Sequence, residues 1–167
     1  MAAGATYTPI ASFTVSTAQA SYTFSSISGA YTDLVLVFTT LSSAGAYATL
    51  RINGDTGTSY SDTHLKGNGT TATSWALTGQ TYTYLNDNGA SLNSLTAPTV
   101  TTVSLMNYSN STTYKTILSR FNSSYNEISA NVSLWRSTSA ITSITILTST
   151  GTYAVGSTFA LYGILAA

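Results

Sequence analysis

An all-β fold, an antiparallel sandwich or barrel in one domain, is what this sequence predicts, and three observations predict it. Runs of five to ten residues rich in Thr, Tyr, Val, Ile and Leu recur along the chain, each closed by a Gly/Asn/Ser break. Among residues of high helix propensity Glu, Lys and Met are sparse, with one Glu, two Lys and two Met in 167 residues. No segment sustains a helical period. With 43% hydrophobic residues the chain can bury a core, so its 32 Thr and 26 Ser do not signal disorder.

In chain order, the first run is Tyr7–Val15, where Pro9 suits an edge strand or an extended arm because it lacks a backbone donor. Residues 1–20 are read as an N-terminal arm or edge strand and residues 21–167 as the β-sandwich domain. Strands follow at Ser21–Ser25, Asp33–Leu41, Ala46–Asn53 and Ser74–Leu85. The next is Thr99–Asn107, which Pro98 introduces, and then come Tyr114–Phe121, Glu127–Trp135, Ser143–Thr148 and Thr158–Leu165. Turns fall at Asn53-Gly54-Asp55-Thr56-Gly57, Lys66-Gly67-Asn68-Gly69, Asn86-Asp87-Asn88-Gly89 and Thr150-Gly151, where Gly and Asn accept positive φ.

Two strands carry distinct patterns. In Ile128–Leu134 even positions are apolar and odd ones polar, the alternation of a sheet with one face in a core and one in water. Trp135 follows the polar parity, which places it on the outer face unless it packs under the loop Arg136-Ser137-Thr138-Ser139. The run Leu34–Phe38 is apolar on both faces, so something must cover Val35 and Val37. That cover is either a segment of the same chain or a neighbouring subunit, which makes Val35 and Val37 candidate intersubunit contacts.

Charge is scarce. Asp, Glu, Lys and Arg total 6% of residues where a globular domain carries about 25%, and the formal net charge is zero. Five scattered cations form no basic face for nucleic acid or for an anionic membrane. Exposed strands are commonly protected from self-pairing by charge, so edges here must be covered by closure, loops or permanent assembly. There is no cysteine, hence no disulfide and no thiolate metal site. The N-terminal residues Met1–Tyr7 have neither a basic nor a long apolar stretch, so a signal peptide is not expected. The five Asn-X-Ser/Thr sequons arise readily in a Ser/Thr-rich chain and carry no weight.

Five of the eleven titratable side chains fall between Arg51 and Lys66, namely Arg51, Asp55, Asp62, His64 and Lys66. A calcium loop at Asn53–Gly57 would need more than one carboxylate, so a Gly-rich hairpin with an Arg51–Asp55 or Arg51–Asp62 pair is the better reading. His64 is the only histidine and is expected in a loop or at a strand end. No Gly-X-Ser-X-Gly elbow and no recognisable carboxylate pair occurs, so no enzyme, cofactor or metal is expected. The aromatics Tyr60, Tyr82, Tyr84, Tyr108, Tyr125, Trp75 and Trp135 suit either a sugar-stacking platform or a protein interface, with Trp75 and Trp135 as the candidate glycan or interface residues.

Six stretches, in order and spaced from end to end, carry a family resemblance: Tyr7–Ala11, Phe24–Val37, Arg51–Asp62, Tyr114–Arg120, Leu134–Ile141 and Gly156–Ile164. In these the chain resembles small β-rich virion structural proteins of tailed bacteriophages, either capsid decoration (cement) proteins or tail and fibre components. The resemblance implies a jelly-roll-like sandwich, a homotrimer, a location on the virion head or tail, and the major capsid protein or other virion proteins as partners. It transfers no functional residue. The expected role is a decoration protein that binds and stabilises the head shell. The alternative is a tail or fibre component that binds host surface glycan through exposed Tyr and Trp.

Overall fold

The structure, a computed structural model, describes residues 6–42, 46–86, 95–123 and 127–165. Asp87-Asn88-Gly89 of one predicted turn, Tyr125 and the first five residues lie outside these. The described residues form strands and no helix: β1 Tyr7–Thr14, β2 Ser21–Phe24, β3 Asp33–Thr40, β4 Ala48–Ile52, β5 Tyr60–Gly67 and β6 Ala72–Gln80. The series continues with β7 Thr83–Tyr84, β8 Thr99–Leu105, β9 Lys115–Ser123, β10 Glu127–Trp135, β11 Ile144–Thr148 and β12 Thr158–Ile164.

Two antiparallel sheets pack as a sandwich. The large sheet runs β1-β12-β3-β8-β9-β10-β5-β6 and the small one β2-β11-β4-β7. If the hairpins β5–β6 and β9–β10 are set aside, eight strands remain, four in each sheet, in the orders β1-β12-β3-β8 and β2-β11-β4-β7. The two hairpins dock side by side onto β8 and extend the large sheet beyond that eight-strand body.

Aromatic packing joins the layers. Phe13 of β1 stacks on Tyr22 of β2 with ring centroids 4.0 Å apart, and Phe38 and Tyr153 meet Phe159 at 5.6 and 5.2 Å. Residues 7–14 are therefore an edge strand paired to β12 within the chain, with a bulge between Pro9 and Ala11. Thr pairs replace charge as cross-strand contacts: Thr40 and Thr99 hydroxyls meet at 2.9 Å, as do those of Thr23 and Thr145.

Two sequence expectations change here. Tyr60–Gly67, unassigned in the sequence because its charges hide the alternation, is the full strand β5. The single strand expected over Ser74–Leu85 is split: β6 ends after Gly79 adopts φ 64°, and β7 crosses to the small sheet. The remaining strands match the expected runs to within a few residues.

Candidate functional site

The β9–β10–β5–β6 extension is inverted relative to the pattern of β10. Register explains how. Ile117 and Phe121 of β9 point into the core and pair with Ser133 and Ser129 of β10, so those serines must point inward too. Trp135 shares their parity and is buried, which rules out the outer-face position and leaves the packed one of the two that the sequence left open. Its indole Nε1 donates to Asp55 Oδ2 at 2.7 Å. The bulky Ile117, Phe121 and Trp135 set the phase, and the small polar residues of β10 follow them inward.

The inner face of the extension is consequently polar. Asp62 and His64 of β5, Ser119 of β9, and Ser129, Asn131 and Ser133 of β10 are all buried. The β7 segment meets them: the Thr83 hydroxyl lies against Asp62 Oδ1 and 2.5 Å from Ser133 Oγ, Asn131 Nδ2 donates to the Tyr84 carbonyl at 3.5 Å, and Ser119 Oγ donates to the Leu85 carbonyl at 3.4 Å. One hydroxyl carries one proton, so Thr83 donates to one of these groups and accepts in the other direction. Asp62 Oδ2 is buried without a hydrogen-bond partner. Burial pushes the Asp62 carboxyl above its ordinary range, against the pull of Ser133, Thr83 and the His64 charge. His64 is a mid-strand residue rather than the expected loop or strand-end residue, with its ring stacked on Trp75 at 4.7 Å and an interplanar angle of 4°. Lys66 and Glu127 form an ion pair of 2.9 Å at the end of the same face.

The outer face carries an apolar patch among small polar residues. Across β9, β10 and β5 it presents Leu118 (45% exposed), Ile128 (62%), Val132 (44%) and Leu65 (57%). Leu118 lies opposite Val132, Ala130 opposite Leu65, and Leu134 completes the row on β10. Arg120, exposed on β9, is the one ionised group on this face of the four strands. A contiguous exposed apolar face of this kind marks an interaction surface.

The other sequence candidates fall as follows. Val35 and Val37 lie on the same outer face, on β3. Val35 is buried by its own chain and Val37 is half-buried. Trp75 is half-buried on the edge strand β6. In the Asn53–Gly57 segment both Asp55 oxygens are taken: Oδ1 accepts from the Gly57 amide at 2.8 Å and Oδ2 from Trp135. That hydrogen bond from Trp135 holds the Asp55 carboxyl below its ordinary range. Arg51 pairs with neither aspartate. Its Nε donates to the Thr81 carbonyl at 3.2 Å and its guanidinium lies 5.8 Å from the Tyr82 ring. Among the described residues no group of three or more His, Cys, Asp or Glu gathers to hold a metal ion. Sequence reasoning missed Leu65 and Leu118 and assigned Ile128 and Val132 to the core. The pairing of the polar face of β10 with Ile117 and Phe121 was the signal, and it requires the register.

Comparison with known proteins finds no matching family model, no matching curated sequence and no matching solved structure.

Proposed function

We propose that this chain is a bacteriophage virion structural protein, a capsid decoration protein that binds the head shell and clamps neighbouring capsid subunits. The observation that carries the reading is the outer face of β9, β10 and β5, where Leu65, Leu118, Ile128 and Val132 are open to solvent above a polar buried layer. A free monomer gains nothing from that arrangement, whereas a partner laid on the sheet removes those side chains from water. Scarce charge supports it, because contacts made without ion pairs persist at high salt. The end-to-end resemblance to virion proteins supports it as well. So does the strand order of the eight-strand body, which alternates between two sheets in the manner of a double-sheet jelly roll, an architecture common in capsid proteins.

Binding to the shell stabilises it by mass action and by bridging subunits. The test is to mix the purified protein with undecorated head shells, then measure co-sedimentation and the temperature at which the shells rupture. Binding with a raised rupture temperature is the expected result; no binding and no gain in heat resistance would defeat the reading. The glycan-binding alternative is left with Trp75, since Trp135 is buried beside Asp55. It predicts adsorption to host envelope polysaccharide that Trp75→Ala abolishes.

A further inference from the structure

The two edges of the large sheet are built differently. At one edge, β1 carries Pro9, which offers no amide donor, and a bulge between Pro9 and Ala11 that breaks the ladder. Those are standard protections against a further strand. At the other edge, β6 runs nine residues, Ala72-Thr73-Ser74-Trp75-Ala76-Leu77-Thr78-Gly79-Gln80, with no proline and no ionised side chain. Six of its nine residues are exposed, and no further strand follows it among the described residues. The Thr78 carbonyl accepts from Gln80 Nε2 at 3.0 Å, a local cap at the strand end. Along the rest of β6, alternate backbone groups that do not face β5 point outward, where they can hydrogen-bond another strand.

The side chains make this edge self-complementary. Register with β5 puts Thr73, Trp75 and Leu77 on the inner face, opposite Lys66, His64 and Asp62, and Ala72, Ser74, Ala76 and Thr78 on the outer face. Consider a second β6 laid antiparallel about a two-fold axis at Trp75. Trp75 then faces its counterpart, Thr73 faces Leu77, Ser74 faces Ala76 and Ala72 faces Thr78. Small residues oppose small ones outside, the two indoles meet inside, and no charge opposes a charge. The contact is isologous, so it closes at two copies rather than growing into a filament.

We propose that β6 is a self-association edge, where two copies of this chain pair antiparallel through Ala72–Thr78 and join their large sheets into one. The pairing covers the half-buried Trp75 with its counterpart and sets the two apolar outer faces side by side. It does not depend on the head-shell reading, because it concerns the purified chain alone.

Sedimentation equilibrium of the full chain over a concentration series tests it. The expected result is a reversible dimer. Ser74→Lys/Ala76→Lys places two lysine pairs in opposition at the dimer axis while leaving the outward side chains in water, and raises the dissociation constant roughly tenfold or more. Ser74→Lys/Ala76→Glu, which sets each introduced lysine against a glutamate of the other copy, restores association. Circular dichroism and melting of both variants confirm that each is folded. A chain that is monomeric at every concentration overturns the proposal, as does a dimer indifferent to the double lysine variant. Equal weakening by both variants overturns the antiparallel register.

Discussion

The Trp135 indole, 2% exposed, spans from β10 to the Asn53-Gly54 turn, where Asn53 and Gly54 adopt φ of 52° and 68°. Its hydrogen bond to Asp55 is charge-assisted, so Trp135→Phe removes that bond and leaves a small void, destabilising the fold by about 3 kcal/mol. Chemical denaturation with the midpoint shift converted through an unchanged m-value measures this. Asp62 acts in the opposite direction. Its carboxyl titrates above the unfolded value of 3.8, so the folded state holds the proton more tightly than the unfolded state does. The stability it contributes is present below that value and declines as pH rises through the raised one. Asp62→Asn, which keeps the shape and accepts no charge, is expected to remove this decline, so its melting temperature exceeds that of the parent near neutral pH and converges with it in acid. At Gly163 a Cβ would collide with the Tyr31 ring. Gly163→Ala therefore forces the ring aside at a cost of about 1–3 kcal/mol, read in the same denaturation assay. None of these three roles is visible in the sequence, because each depends on a partner from another strand or turn: Asp55 lies 80 positions from Trp135, Asp62 meets Thr83 21 positions on, and Gly163 meets Tyr31 from the far end of the chain.

At the scale of elements, alternation located β10 to the residue, yet its apolar positions face outward. Alternation gives the period of a strand and leaves the sign open; register against Ile117 and Phe121 supplies the sign. The strand β5 escaped notice for a related reason: its inward positions are Tyr60, Asp62 and His64, so polarity and burial run together there. Gly79 likewise marks the break between β6 and β7, which a continuous Thr/Tyr run concealed. The outer face then has a direct consequence. Leu118→Thr/Val132→Thr alters only side chains that touch solvent in the isolated chain, so its melting temperature stays close to that of the parent, within about 0.5 kcal/mol of stability. Capture by head shells, measured in parallel, is expected to fall at least tenfold. A variant that binds as the parent does would remove this face from the docking surface.

At the scale of the whole molecule, low charge takes on a specific form. The all-β sandwich was legible from composition, from the recurrence of short runs and from turn residues at Asn53-Gly54 and Gly151. What stayed hidden is the division into an eight-strand body and a two-hairpin extension, since pairings such as β5 with β10 join segments about 70 residues apart. The extension concentrates the apolar outer face, the buried Asp62 cluster and the unprotected edge in four adjacent strands. Its polar interior, held by Thr83, Ser133 and the Lys66–Glu127 pair, leaves the apolar residues available to a partner. An image of the particle, at a resolution that traces β9, β10 and β5, is the decisive test of the proposed docking face. The expected image has the protein on the outside of the head with Leu65, Leu118, Ile128 and Val132 against the major capsid protein. A position on the tail, or that face turned to solvent in the assembled particle, would contradict it.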